Sequence, residues 1–245
     1  MAYLSHLWSV RFHFHDEETE IAQTIGATGK PFVNLWMHNG FVRIDEVKMS
    51  KSLGNFFTVR EVLKQYAPEV IRYFILSSHY RSPLNYSDVQ LNEARAALDG
   101  LYLALRDIPE IPARKVGESY QDQFRQAMDD DFNTPKAIAV LHELAHDLNR
   151  LTDKRSEKAQ VLVASMRHLG GIMGLLQDAP ENYLKSAVVP AEEGFSTEAI
   201  DALVAERNLA RKERNFARAD EIRDLLVEQG IVLEDNPQGT TWRRQ

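Results

Sequence analysis

The segment Lys48-Met49-Ser50-Lys51-Ser52-Leu53-Gly54-Asn55 divides the sequence into two parts with different apolar patterns. Before it, the apolar runs 32–36 and 41–44 are short, and Asn39-Gly40 separates them. This break predicts a hairpin, because Asn-Gly supplies the positive φ angles of tight turns. After the segment, apolar residues recur at helical spacing nearly to the end of the chain. The pattern therefore predicts a mainly α protein with a small α/β remnant at its start.

Capping residues and prolines mark the predicted helix starts after this segment. They are Thr58 with Glu61, Pro68, Ser87 with Gln90, and Thr134-Pro135 with Thr134 as the N-cap. The helix that begins at Thr134 carries an apolar stripe to Leu151, and a second one is predicted from Glu157 to Leu176. Two such helices joined by a short loop favour an antiparallel pair in a bundle.

The last fifty or so residues form a separate pattern. Ser196 is predicted to cap one helix, and Gly230 to end a second helix that carries Ala219, Ile222 and Leu226. Strands are predicted at 231–233 and 240–242, on either side of a turn at 236–239. Residues 177–197, which contain two prolines and a glycine, are predicted to be a linker.

Composition narrows the classes of protein that this chain fits. Its 245 residues contain no cysteine, which excludes disulfides and thiolate metal sites within the chain. The formal charge of -7 argues against a broad basic face that binds nucleic acid without specificity. No apolar stretch is long enough to span a bilayer, and the start lacks the basic region of a signal peptide. We therefore expect a cytoplasmic protein with no membrane partner.

The opening segment has the chemistry of a phosphate clamp. Lys48 and Lys51 are point charges on flexible stems, and the Ser50 hydroxyl is a further donor for phosphate oxygens. Ammonium groups placed in advance stabilise the charge that builds on a departing pyrophosphate. The alternative is a solvated lysine-serine loop, which is the commoner origin of such spacing.

The complete Lys-Met-Ser-Lys-Ser string resembles the second signature of class I aminoacyl-tRNA synthetases. Its neighbours are similar, in order and spacing, to the cysteinyl-tRNA synthetase family from about Glu18 to Arg244: Trp36-Met37-His38-Asn39-Gly40, His79-Tyr80-Arg81-Ser82-Pro83-Leu84-Asn85-Tyr86, Met128-Asp129-Asp130-Asp131-Phe132-Asn133-Thr134-Pro135 and Leu233-Glu234-Asp235-Asn236-Pro237-Gln238-Gly239-Thr240-Thr241-Trp242-Arg243. The resemblance implies the end of a class I catalytic domain at 1–56, a helical stem at 57–116, a helix bundle at 117–178, a linker at 179–197 and an anticodon-binding module at 198–245.

The resemblance also implies an ATP-dependent, AMP-forming ligase that activates cysteine and transfers it to its tRNA. Lys51 and Ser50 would then contact ATP with Lys48 assisting, and His38 would lie beside the adenylate. For His38 the alternative is a histidine satisfied near a hairpin. The expected partners are ATP and a tRNA with a cysteine anticodon, and cysteine itself only if an N-terminal half is present.

Two features of the family's active site have no counterpart in this sequence. There is no His-Ile-Gly-His string, and the family's zinc ion is held by two cysteines, a histidine and a glutamate. Glu20 maps onto the zinc glutamate, whereas Asp16 stands at the histidine position. Residues 13–20, near the N-terminus, have two interpretations: a metal-binding cluster or a solvated acidic extension. We expect an incomplete zinc site, a C-terminal portion of a synthetase, and an isolated chain without activity.

The tail has the residue types of an RNA reader. Basic residues alternate with small apolar ones from Arg207 to Arg218, and Phe216, Trp242 and Arg243 offer planar groups for base stacking. By resemblance, the anticodon-reading residues map onto the following positions: Arg211, Asp220 and Asp235. The alternative is that Arg211 and Asp220 form surface ion pairs.

Two other functions compete with the synthetase interpretation. One is a tRNA-binding module or inactive paralogue without catalysis, which the missing signature favours. The other is a ligase that joins cysteine to a sugar amine on the same catalytic fold. The tail from Asp201 to Arg244 argues against the second, because such a ligase needs no anticodon reader.

Overall fold

The computed structural model describes residues 7–9, 16–44, 47–48, 58–106, 108, 116–186, 195–236 and 239–244. Of the predicted phosphate clamp, only the backbone of Lys48 lies within this range. Ser50, Lys51 and the N-terminal histidines at 13 and 15 lie outside the described residues.

The first part of the chain contains one helix and most of the strands of two small sheets. Its elements are β1 (Leu7–Ser9), α1 (Asp16–Thr28), β2 (Met37–Asn39), β3 (Val42–Ile44), β4 (Val47–Lys48) and, after two helices, β5 (Leu84–Tyr86). β1 pairs with β2 in parallel. β3 lies between β4, which is antiparallel to it, and β5, which is parallel to it. The sequence pattern did not predict α1, because its apolar residues are too few to mark a face.

The predicted hairpin at Asn39-Gly40 is wrong. β2 and β3 belong to different sheets and do not pair with each other. Gly40 is needed for close packing instead: its N–H donates to the carbonyl of Tyr80 at 2.8 Å, and a Cβ there would lie 2.1 Å from the carbonyl oxygen of Ser82. The dipeptide therefore marks a close approach of two backbones, which is the other common use of glycine.

The rest of the described chain is mainly helical, as predicted. The helices are α2 (Val59–Val62), α3 (Pro68–Leu76), α4 (Asp88–Leu105), α5 (Glu118–Asp129), α6 (Thr134–Arg150), α7 (Glu157–Ile172), α8 (Pro180–Lys185), α9 (Thr197–Lys212) and α10 (Phe216–Glu228). The capping box of Thr58 with Glu61, Pro68 in the first turn of α3, and the Ser87 and Ser196 caps are confirmed. These starts depend only on local contacts, which is why sequence predicts them well.

Two helix ends differ from the prediction by a few residues. Asn133, not Thr134, caps α6, because its side-chain oxygen accepts from the N–H of Lys136 at 3.3 Å while Thr134 is already helical. α7 runs through Gly170 and Gly171 and ends at Ile172, short of the predicted Leu176. Gly174 and Leu176 both have positive φ, so the helix cannot continue through them.

The helices enclose two hydrophobic cores. The larger one extends from α2 to α8 and includes the fully buried Leu98, Leu141 and Leu144. The smaller one lies in the tail, where α9 and α10 pack on the antiparallel hairpin of β6 (Ile231–Asn236) and β7 (Gly239–Arg244). The predicted order of two helices and two strands in the tail, with Gly230 at positive φ after α10, is confirmed, and both strands are longer than predicted. Within the predicted linker, however, residues 180–185 form α8, whose Leu184 is buried against the larger core.

A buried arginine joins the two cores. Arg106 caps the C-terminal end of α4, and its side chain is only 4% exposed. It forms an ion pair with Glu181 of α8, donates to Glu234 of β6 at 3.0 Å, and donates to the backbone carbonyl of Trp242 in β7 at 3.0 Å. One guanidinium therefore ties the helical body to both strands of the tail hairpin.

We predict that Arg106→Met weakens this docking strongly, because it removes the buried cation that joins Glu181 to Glu234 and leaves each acid with one other, more exposed cation, Lys185 and Arg243 respectively. The expected loss of unfolding free energy is about 2 kcal/mol, as for lost hydrogen bonds to charged groups, because the two acids are partly exposed. Urea denaturation monitored by tryptophan fluorescence measures it, since Trp242 lies at the interface. Arg125→Met is the control: its pair with Asp122 is exposed, and we expect a loss under about 0.5 kcal/mol. Equal losses in the two variants would contradict the docking role.

Candidate functional site

The sheet of β3, β4 and β5 presents the start of the predicted phosphate clamp. Lys48 ends β4 and lies opposite Arg43 of β3 in the antiparallel register. The chain is next described at Thr58, whose capping box begins α2. The segment that carries Ser50 and Lys51 thus spans from a strand to a helix cap. Their contacts with a nucleotide stay a prediction.

His38 lies in the other sheet. It is the central residue of β2, opposite Trp8 of β1, and is half-buried. Its ring stacks on Trp36, with the ring centroids 6.4 Å apart and the planes 6° from parallel. The histidine therefore has a defined orientation in the middle of β2, and its place beside an adenylate stays a prediction.

Glu20, the predicted zinc ligand, lies in the second turn of α1 and is half-buried. Across the described ranges, no three His, Cys, Asp or Glu side chains are grouped closely enough to hold a metal. The whole chain also lacks cysteine, so it cannot supply the two thiolates of the family's zinc site. The residues present do not fit that site, and we derive no step that uses zinc.

The tail brings together two of the three predicted anticodon residues. Arg211, at the end of α9, donates to Asp235 of β6 at 2.8 Å, and both side chains are 47% exposed. Arg207, one helical turn earlier, donates both terminal nitrogens to the same carboxylate, at 3.0 and 3.1 Å. Thr240 of β7 lies within 2.6 Å of the nearer oxygen. The result is a fully bonded carboxylate at the edge of an exposed surface.

Asp220 lies apart from this cluster. It is on the exposed side of α10, next to the buried Ala219, and among the described residues it is not a partner of Arg211 or Asp235. The alternative of surface ion pairs therefore fits the contacts of Arg211, with Asp235 as the acid instead of Asp220. An ion pair that RNA can open and an ion pair that only stabilises the fold have the same geometry.

Part of the predicted basic stripe is not available to RNA. Arg207 is buried, and Arg218 pairs with Glu206 and Glu221. Arg211, Lys212, Arg214 and Arg218 are exposed, and of these Arg211 and Arg218 lie in ion pairs with acids of the described residues. The stripe is therefore shorter than the sequence predicted, because helix packing buries Arg207 and acidic neighbours pair with Arg218.

The prediction that Trp242 stacks on bases is wrong. Its side chain is 1% exposed, it belongs to the tail core, and its Nε1 donates to Asp201 at 2.6 Å. Arg243 pairs with Glu234 and Asp99 on the side that faces the helical body. Phe216, at 61% exposed, is the planar group of the three that stays on the surface.

Sequence reasoning missed the role of Arg207, although a signal was present. Ile200, Val204 and Arg207 follow one another at helical spacing on α9, and the first two are buried. An arginine on the apolar stripe of a helix predicts a buried charge that needs an acidic partner. Asp235 is that partner.

Comparison with known proteins matches three family models to the chain in succession. Residues 6–96 match the class I (C) tRNA synthetase catalytic domain, residues 123–177 the DALR domain, and residues 196–243 the cysteinyl-tRNA ligase anticodon binding domain. The chain belongs to the cysteinyl-tRNA synthetase family.

Relatives that bear the name cysteine–tRNA ligase are similar along almost the whole chain. The one from Thioalkalivibrio sulfidiphilus is 58% identical over 232 residues, and the one from Alkalilimnicola ehrlichii is 56% identical over 234. The matches cover 94% and 95% of this chain but 50% of each relative. The chain thus spans about half the length of the curated synthetases that it matches.

The catalytic-domain match ends inside the segment predicted as a helical stem, 57–116. β5 lies in that segment and completes the sheet with β3, which accounts for the overlap. The domain boundaries otherwise stay predictions. In the described part of the chain, none of the helices combines the length and the apolar character needed to cross a membrane.

We predict that Asp235 makes the stability of the tail depend on pH. Hydrogen bonds from Arg207 and then Thr240 hold the pKa of Asp235 well below its ordinary value of 3.8. A depressed folded pKa means that the stabilisation is complete above about pH 4 and is lost as pH falls through the folded pKa. Asp235→Asn should therefore be less stable at neutral pH, by on the order of 1 kcal/mol, with the difference narrowing in acid.

Urea denaturation at a series of pH values measures this difference. Asp220→Asn is the matched control for the loss of one exposed carboxylate from the same module. A gap between the native chain and Asp235→Asn that stays constant down to about pH 2 would contradict the prediction.

Proposed function

We propose that this chain supplies the tRNA-binding part and the phosphate-contacting loop of a cysteine–tRNA ligase. The observation that carries the proposal is the exposed pair of Arg211 and Asp235, in a module that matches an anticodon-binding family. A donor fork and an acceptor side by side offer both kinds of group that a base edge requires. The proposed partner is a tRNA with a cysteine anticodon.

The anticodon contact would exchange one ion pair for base contacts. Arg211 and Asp235 are half-exposed, so an unpaired base can reach both without unfolding the hairpin. Asp235 would accept from a base amino group, and Arg211 would donate to base acceptors. Asp220, on the neighbouring helix α10, is the proposed third contact, and Lys212 is proposed to contact phosphate.

The catalytic contribution of this chain would be electrostatic. Lys51 and Ser50 are proposed to bind the phosphates of ATP, and Lys48, fixed at the end of β4, to assist. Positive charge at this place favours departure of pyrophosphate when a carboxylate attacks the α-phosphate. His38 is proposed to lie beside the adenylate. The expected compartment is the cytoplasm.

A second candidate function is tRNA binding without catalysis. It is favoured by two features of the whole sequence, the absence of cysteine and of a His-Ile-Gly-His string. Anticodon binding and an inactive isolated chain are expected from both candidates, so only activity shown by the chain would separate them, by excluding the second.

The first test is anticodon discrimination. We expect the chain to bind tRNA with the cysteine anticodon more tightly than the same tRNA with one anticodon base changed. Arg211→Ala should weaken cognate binding by about 1–3 kcal/mol and reduce the discrimination. Fluorescence titration at moderate salt measures both dissociation constants.

Lys212→Ala is the control for a phosphate contact. It should weaken both tRNAs alike and lower the dependence of affinity on salt, since it removes one released counterion. If both tRNAs bind the native chain equally, and Arg211→Ala alters neither constant, the proposed anticodon contact is wrong.

The second test is amino-acid activation. The chain alone is expected to show no cysteine-dependent exchange of pyrophosphate into ATP, because it carries neither the first signature nor the thiolates. The full-length relative from Thioalkalivibrio sulfidiphilus serves as the positive control. Exchange by the chain clearly above a reaction without enzyme would overturn this expectation and exclude the non-catalytic alternative.

A further inference from the structure

The carboxylate of Asp235 is held by two arginines with different surroundings. Arg207 Nη1 donates to Oδ1 at 3.0 Å and Nη2 donates to Oδ2 at 3.1 Å, which is a bidentate fork. Arg211 Nη1 donates to Oδ2 at 2.8 Å. The Arg207 side chain is 9% exposed and the Arg211 side chain 47% exposed. Only Arg211 can therefore turn towards a ligand in solvent.

Thr240 completes the fixation of Asp235 from the opposite strand. The two residues face each other in the β6–β7 register. The Thr240 hydroxyl accepts from Arg207 Nη1 at 3.2 Å, and its one proton can go to Asp235 Oδ1 at 2.6 Å or to Asn208 Oδ1 at 2.8 Å, of which Asp235 is the nearer and the charged acceptor. Arg207, Thr240 and Asp235 thus form a closed ring of hydrogen bonds that does not include Arg211.

The ring survives the loss of the outer arginine. If Arg211 leaves Asp235 for a base or phosphate, Oδ1 keeps its two donors and Oδ2 keeps Arg207 Nη2. The carboxylate would stay in one plane, with a lone pair of Oδ2 directed to solvent where Arg211 had been. A fixed acceptor loses little side-chain entropy on binding, so its selectivity for a base edge is high.

We propose that Arg207 is a positioning residue that orients Asp235 for base recognition, with Thr240 as its second support and Arg211 as the exchangeable partner. This inference rests on the proposed anticodon contact of Asp235. Arg207 does not touch RNA itself. A lysine in its place keeps the charge but cannot form the fork, because an ammonium group is a point charge.

The test compares charge-conserving and shape-conserving variants of the full chain. Arg207→Lys and Thr240→Val each remove a support of Asp235, whereas Thr240→Ser keeps the hydroxyl. Arg125→Lys, in the remote helix α5, is the control for an arginine-to-lysine change in an exposed ion pair. For each variant the dissociation constants of cognate tRNA and of the one-base-changed tRNA are measured, together with the thermal unfolding midpoint.

The expected result is a fall of about tenfold in the ratio of the two constants for Arg207→Lys and for Thr240→Val. Thr240→Ser and Arg125→Lys should keep the native ratio. A structural effect alone would lower the unfolding midpoint, or weaken both tRNAs equally, without changing the ratio.

Each other outcome counts against the proposal. A native ratio in folded Arg207→Lys overturns it and leaves the anticodon contact intact. If Arg207→Lys does not fold, Thr240→Val decides, and a native ratio in that variant overturns the proposal. If the native chain itself shows no discrimination, the anticodon contact fails, and the positioning role fails with it.

Discussion

The buried guanidinium of Arg106 is the interaction on which the arrangement of this molecule depends. A charge inside a protein must be paired, and this one takes its partners from α8, β6 and β7. The end of α4, the short helix α8 and the tail hairpin therefore cannot shift independently. Trp242 stabilises this junction and the tail core together: its backbone carbonyl accepts from Arg106, and its ring packs in the tail core.

Successive side chains of strand β6 face the helical body and the exposed surface of the tail in turn. Glu234 points to the helical body, where Arg106 and Arg243 pair with it, and Asp235 points to the exposed surface beside α9. Successive residues of a strand face opposite ways, so one strand carries an anchor and a candidate contact with RNA. The place of the proposed anticodon surface relative to the helical body follows from this alternation.

Arg106 and Arg207 are both buried, so the charge of each needs an acidic partner, but the two ion pairs have different consequences. Each is satisfied by a carboxylate from β6, at Glu234 and Asp235 respectively. The pair of Arg106 lies between two cores and holds them together. The pair of Arg207 lies at the rim of the tail, where its acid is half-exposed and meets a second, half-exposed cation at Arg211. Because Arg207 is buried and Asp235 is half-exposed, the carboxylate of Asp235 faces solvent.

The sequence by itself determined the features that depend on neighbouring residues. Capping boxes, N-terminal prolines and apolar stripes placed most helices, and the motif string identified the family, because both are local patterns. Tertiary structure alone decided the rest. Gly40 serves a backbone contact with the 80–82 turn instead of a hairpin, and residues 180–185 fold because α4 and β7 lie beside them. Trp242 and Arg207 are buried, while Arg211 and Asp235, 24 residues apart, meet in one ion pair. Such contacts join residues distant in sequence, so no local pattern specifies which side chain meets which.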